Sequence, residues 1–131
     1  MGESKTPEHV ADFMADLRAA THPHPFDRRS RLLAYDVDGA ECYAVIVVRP
    51  WDGMAYIEEI GVSPKSCAGH GVGSSALRLI TDLADARGVT LALTPVPIGH
   101  KRLNRAKLTA WYKRRGFAGA RGDDTLVRLP H

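Results

Sequence analysis

Glu58 and Glu59 stand side by side in the stretch YIEEIGV, and a carboxylate so placed can accept a proton from a nucleophile as a general base. A few residues later Gly69, Gly71 and Gly73 alternate with His70 and Val72, directly before a run of helical periodicity. Glycine permits positive φ and close approach of main chain, and the first N–H groups of a helix point outward unpaired at the positive end of its dipole. Loop and helix start together read as an anion site, most naturally for phosphate. The loop is not a P-loop, since no Gly-Lys-Ser/Thr follows, and Gly-x-Gly-x-Gly is not the dinucleotide fingerprint. Its plain alternative is a surface turn ahead of a helix. Tyr112, within WYKRRGF, is a further candidate, because a phenol of ordinary pKa, about 10, is protonated at neutral pH and can give up its proton. The alternative for Tyr112 is a ring packed on a helix face beside Trp111.

These residues need elements to hold them. Val10, Phe13, Met14 and Leu17 fall at i, i+3, i+4 and i+7, which predicts an amphipathic helix over Pro7–Ala20 with Thr6 as N-cap and Pro7 in the first position. THPHPFDRRS, rich in proline and charge, reads as a loop or a broken short helix. Strands are expected over Leu32–Val37, Glu41–Val48 and Met54–Val62, joined by turns at Asp38-Gly39 and Pro50–Gly53 into an antiparallel meander. Adjacent residues of a regular strand face opposite ways, so one of Glu58 and Glu59 should look toward a cleft and the other away. Val72, Ala76, Leu79, Ile80 and Leu83 share one helical face, with Gly88 as the stop. Val89–Leu93 forms a short strand, and the strand–helix–strand crossing makes it parallel to the one before. A helix from about Asn104 to Arg115 with Gly116 as its C′ residue, and a strand over Thr125–Leu129, complete the chain.

At 131 residues this is one domain, 1–131, large enough for its own core, and 44% hydrophobic with 25% charged residues is ordinary for a soluble globular protein. No run approaches membrane-span length, and MGESKTPEHVADF lacks the layout of a signal peptide, so the expected localisation is cytoplasmic. Cys42 and Cys67 are too few for a disulfide framework and are expected as free thiols in a reducing compartment. Cys67 lies three residues before His70, but two ligands without a second pair are not a zinc site, and no metal is expected; the same holds for His22 and His24. The net charge of +3 is divided: residues 1–64 hold 6 Lys/Arg against 11 Asp/Glu, and residues 65–131 hold 12 against 4. A basic half suits nucleic acid or the several phosphates of a nucleotide-like cofactor, and an acidic half on the same domain argues against a general polyanion binder.

The strand, the Val-x-Pro of Val62 and Pro64, the glycine loop and the Tyr112-x-x-x-Gly116-Phe117 segment together resemble the GNAT superfamily of acyl-CoA N-acyltransferases, over roughly Tyr43 to Arg128. The resemblance implies an α/β fold with a mixed, mostly antiparallel central sheet, a parallel pair flanking the cofactor loop and helices on both faces. It implies acetyl-CoA as cosubstrate, with contacts at Ile60, Val62, Ala68, Gly69, His70, Gly71, Val72, Gly73, Ser74 and, near the pantetheine arm, Asn104. In the spermidine/spermine acetyltransferase branch a Glu four residues before this Val takes the amine proton, which points to Glu58 as base with Glu59 second; its plain alternative is an ion pair with an arginine. Tyr112 matches the tyrosine that protonates the departing thiolate. Where the family has Arg or Gln, this chain has Ala68, so a side-chain contact to phosphate is missing, and His70, Lys65 or Ser74 are candidates to replace it. The front looks trimmed, because Met1–Lys5 is too polar for the strand with which the family begins.

The implied activity is N-acetylation of a primary amine, free or on a macromolecule. Glu58, Glu59, Asp36 and Asp38 in the acidic half suggest a cationic acceptor. The other expectation is a noncatalytic domain of the same fold that binds CoA or nucleic acid through Lys101, Arg102, Arg105, Lys107, Lys113, Arg114 and Arg115. For most of these a solvated helix face is the plain alternative, and one or two near the loop are candidates to reach the adenosine phosphates. A membrane partner is not expected, and a homodimer is compatible with the sequence.

Overall fold

A computed structural model describes residues 6–95, 104–119 and 124–131. In chain order the elements are α1 (Glu8–Ala20), β1 (His22–Pro23), β2 (Ser30–Val37), β3 (Ala40–Trp51), β4 (Met54–Ser63), a 3-10 turn (Lys65–Cys67), α2 (Val72–Arg87), β5 (Leu91–Leu93), α3 (Arg105–Lys113), β6 (Ala118–Gly119) and β7 (Leu126–Arg128). The strands form one sheet in the order β1-β2-β3-β4-β5-β7-β6. Every neighbouring pair is antiparallel except β4 and β5.

The meander follows from its turns. Asp38-Gly39 and Asp52-Gly53 all have positive φ (52°, 83°, 50° and 76°), the conformation that matches the twist of tight hairpins, and the Asp36 carboxylate accepts from the Gly39 N–H at 2.8 Å. The long central strand β3 alternates, with Cys42, Ala44, Ile46 and Val48 buried in the core that α1 and α2 cover through Val10, Phe13, Leu17, Val72, Ala76, Leu77 and Ile80. Gly88 ends α2 with φ 66°, as its position suggested.

Several expectations are corrected. Helix α1 begins at Glu8 with Pro7 as its N-cap and no side-chain cap, so Thr6 does not hold that place: proline at the boundary has no N–H to satisfy, and its carbonyl already accepts from Val10 and Ala11. Within THPHPFDRRS, His22 and Pro23 pair with Leu32 and Arg31 as a short edge strand, where proline is tolerated. Cys42 and Cys67 are not free thiols; they form a disulfide across a sequence separation of 25, both buried, one on the core side of β3 and the other in the 3-10 turn. Residues Met1–Lys5, Lys101 and Arg102 lie outside the described residues, and no described helix is long and apolar enough to cross a membrane.

The register of β3 with β4 slips at one place. Val47 pairs with Glu59 and Val48 with Ile57, so Glu58 is an extra residue on β4. Tyr56 and Glu58 alternate with the buried Ile57, and beyond the slip Glu59 stands opposite Val47, while Ile60 and Val62 return to the core side opposite Ile46 and Ala44. The bulge therefore puts Glu58 and Glu59 on the same face, the one turned away from α1 and α2, where a regular strand would have separated them.

At the far end of α2, Asp85 takes a bidentate pair from the buried Arg128 of β7, Nη1 at 2.8 Å and Nη2 at 3.1 Å, and the His131 N–H at 3.0 Å. Arg128 first and then His131 hold the Asp85 carboxyl below its ordinary 3.8. A depressed folded pKa stabilises the fold above the unfolded value, and this contribution is lost as pH falls through the folded one. Asp85→Asn is expected to cost about 2 kcal/mol at neutral pH, roughly 7 °C in Tm. The gap between the thermal melts of the two proteins should narrow only as pH falls below the ordinary 3.8 and close below the folded value, and a gap that is independent of pH would refute the ion pair as its cause.

Candidate active site

Strands β4 and β5 are bonded over three residue pairs only, Ala55 with Leu91, Tyr56 with Ala92 and Ile57 with Leu93. From Glu58 to Ser63 the β5-side edge of β4 has no strand partner among the described residues, so its backbone groups are open to an extended ligand. Ile60 and Val62 point their side chains into the core, and what they can offer a cofactor is this backbone. The glutamates sit where the two strands part.

At the other end of the open edge lies the glycine loop. Gly69 and Gly71 have φ of 83° and 81°, and Gly71 is the N-cap of α2 without any side-chain cap. The first bond at the start of the helix runs from the Ser75 N–H to the Gly71 carbonyl, which leaves the N–H groups of Val72, Gly73 and Ser74 directed out of the helix. A Cβ on Gly71 would meet nothing within 4 Å, so the space beside it is open, and positive φ strains any branched residue there. The cradle fits a phosphate of CoA. Val72 itself is buried, His70 is exposed and Ala68 is half-buried.

Beside this cradle the structure brings a cation that stood outside the three candidates His70, Lys65 and Ser74, and it touches one of them. Arg115, just beyond α3, reaches across with Nη2 to Ser74 Oγ at 3.0 Å. Its guanidinium lies 4.3 Å from the Trp111 ring centroid, and Nη1 donates to the Trp111 carbonyl at 3.1 Å. Burial, and next the neighbouring Arg114, lower its pKa from the ordinary 12.5. Sequence reading gave most of the basic set a solvated face and one or two members a reach to the adenosine phosphates, without singling out Arg115; the available signal was its place three residues after Tyr112, which turns it to the same side of the helix.

Tyr112 is buried, in edge-on contact with Trp111 (4.8 Å between centroids) and Phe117 (5.6 Å). No hydrogen bond joins its hydroxyl to a described residue, and burial pushes its pKa up to about 12. Asn104 caps α3, accepting from the Lys107 N–H at 2.9 Å through Oδ1, which commits that oxygen to the helix start and leaves the amide NH₂ to donate. Glu58 is engaged: Oε1 receives the Arg49 Nε–H at 2.6 Å, and Oε2 is 3.9 Å from Arg29 Nη1. Glu59 is half-buried and has no partner among the described residues. Asp36 and Asp38 do not join them. Asp36 at the end of β2 and Asp38 in the β2–β3 turn lie some six or more residues along β3 from the glutamates, roughly 20–25 Å away. The acidic surround expected from the charge division is therefore not assembled. No metal-binding cluster of His, Cys, Asp or Glu exists among the described residues.

The sequence profile of the Acetyltransferase (GNAT) family matches residues 3–117, most of the chain. This protein belongs to the GNAT family. Among solved structures the fold is similar to the ribosomal-protein-S18-alanine N-acetyltransferase of Escherichia coli, at 18% identity and TM-score 0.54 over 96% of this chain and 91% of that one. It is also similar to Ard1 of Thermoplasma volcanium, at 18% identity and TM-score 0.54 over 90% and 78%. The anti-CRISPR protein AcrVA5 aligns at 17% identity and TM-score 0.52 over 73% and 96%. At these identities the likeness is one of fold. A search of curated protein sequences returns no match.

Raising the Tyr112 pKa above the unfolded value of 10.0 means that its contribution to stability is complete below pH 10 and is lost as pH rises toward about 12. Tyr112→Phe cannot ionise. Its melting temperature should therefore fall less steeply than that of the parent between pH 10 and 11.5, and parallel curves would show that the phenol is not buried as described.

Proposed function

We propose that this GNAT-family protein is an N-acetyltransferase that moves an acetyl group from acetyl-CoA to a primary amine by direct attack. The observation that carries the reading is the open edge of β4, with a glycine cradle at one end and two carboxylates at the other. Acetyl-CoA supplies the thioester acyl group. The N–H groups of Val72, Gly73 and Ser74, with the Arg115 guanidinium, hold phosphate, and the freed backbone of Glu58–Ser63 aligns the arm.

At the reacting end a carboxylate first takes one proton from the bound ammonium; the freed amine nitrogen then bonds to the acyl carbon, the carbon–sulfur bond breaks, and the second nitrogen proton leaves to solvent or to the departing thiolate. The amine reaches the site as a cation, which a carboxylate favours. The resemblance puts the base at Glu58, but an oxygen of Glu58 is already taken by Arg49, whereas Glu59 on the same face has no hydrogen-bond or ion-pair partner among the described residues. We therefore assign the proton to Glu59, with Glu58 positioning Arg49. Tyr112 stays protonated through the working pH range. A phenol at about 12 gives a proton to a thiolate of ordinary pKa, about 8.5, only uphill, so its part is a hydrogen bond to sulfur as charge develops there.

A CoA-release assay over a panel of amines tests the reading. Turnover that requires both amine and acetyl-CoA is expected; tight acetyl-CoA binding with no turnover on any amine would favour the noncatalytic domain. Tyr112→Phe should lower kcat about 10²-fold with little change in acetyl-CoA affinity. Glu59→Gln should depress kcat/KM most at the acid end of the profile and recover in part as free amine accumulates, and identical profiles for Glu59→Gln and Glu58→Gln would overturn the assignment.

The phosphate cradle has its own check by calorimetry. Arg115→Ala should weaken acetyl-CoA binding about tenfold, and adding Ala68→Arg should restore much of it by returning a guanidinium to the loop. Unchanged affinity in folded Arg115→Ala would remove Arg115 from the site.

A further inference from the structure

Arg49 is held in a way that an ordinary surface arginine is not. Its Nε–H is fixed on Glu58 Oε1 at 2.6 Å, and its guanidinium carbon lies 5.1 Å from the centroid of the Tyr56 ring. Tyr56 is itself pinned, donating its hydroxyl hydrogen to Thr94 Oγ1 at 2.7 Å, with Trp51 edge-on against it at 5.4 Å. Stacking on an aromatic face and one anchored nitrogen leave the guanidinium with its outer edge free: neither Nη1 nor Nη2 bonds to a described residue. That edge is a planar two-donor fork, the arrangement that matches the two oxygens of a carboxylate. Arg29, the other cation near Glu58, is more exposed and is shared with Asp27 at 3.7 Å, so it does not offer the same fork.

Glu58, which anchors Arg49, is the bulge residue at the point where β4 and β5 part, and Glu59 is its neighbour on the same face. Resting on the acetyltransferase reading above, we infer that the acceptor carries a carboxylate close to its reacting amine, the carboxylate seated on the Nη edge of Arg49 and the amine presented to Glu59. The acceptor class is thus a zwitterionic amine rather than a polycation. Its carboxylate is either that of a free amino acid or an acidic side chain beside an amine in a peptide.

Two matched series distinguish these sources: free amino acids against their carboxamides, and peptides with Asp or Glu next to the N-terminal amine against the same peptides with Asn or Gln. In at least one series the carboxylate form should have a kcat/KM about tenfold higher or more, carried mainly by KM. Arg49→Gln should bring that ratio to about one, and Arg49→Lys, which keeps the charge but not the fork, should restore it only in part. A ratio of one or less in both series of the parent protein, or a ratio that survives Arg49→Gln, overturns the inference. Calorimetric titration with N-acetylglycine and its amide reads the same subsite without turnover, so failure of the acetyltransferase reading does not hide the result. Preferential binding of the acid that is lost in Arg49→Gln supports the carboxylate seat; equal binding of acid and amide refutes it.

Discussion

Two parallel strands that stay bonded over only three residue pairs and then separate are the constraint from which the site follows. A parallel pair is joined by a crossover, here the glycine loop and α2, so the open edge of β4 and the anion cradle are built by one continuous piece of chain. Among the described residues no strand pairs with that edge beyond Ile57, and backbone groups left so are tolerable where a ligand or water can take them. The bulge at Glu58 sits at the fork itself. It ends one register and starts another, and it gathers onto one face two carboxylates that a regular strand would have kept apart.

Much of this was readable in the residues. The helix before Gly88, the meander with its Asp-Gly turns, the parallel crossover and the glycine loop ahead of α2 all depend on local patterns of period and turn chemistry, and they stand where those patterns put them. What escaped was non-local. The slip between Val47 and Val48 is decided by pairing with a strand on the other side of a hairpin, and no residue of YIEEIGV announces it. The Cys42–Cys67 bond was argued against from a count of cysteines, though the two side chains meet in the core whatever their number. Arg115 was hidden in a run of basic residues whose average reading, a solvated face, is right for Lys113 and Arg114, which are exposed, and wrong for the one that stacks on Trp111.

Charge also reads differently in three dimensions. The acidic half of the chain holds no acidic patch at the fork, because Asp36 serves a hairpin turn, Asp16 pairs with Arg87 at 2.7 Å, and Glu58 is neutralised by Arg49. The basic half does contribute to the cradle, through Arg115. Net charge by segment therefore says little about local charge: Arg115 lies beside the glycine loop, and Arg49 and Arg29, far from Glu58 in sequence, lie beside it in space.

The bond between Cys42 and Cys67 closes a ring of chain that contains Arg49, Trp51, Tyr56, Glu58 and Glu59, while the phosphate loop hangs just outside it. A covalent ring of 25 residues removes chain entropy from the unfolded state worth roughly 3.5 kcal/mol. That gain falls on the hairpin that presents the acceptor groups and does not extend to the glycines beyond Cys67. The two halves of the proposed site are thus ordered by different means: one is restrained covalently by its own chain, and the other, beyond Cys67, is held through the 3-10 turn before it and the helix α2 after it.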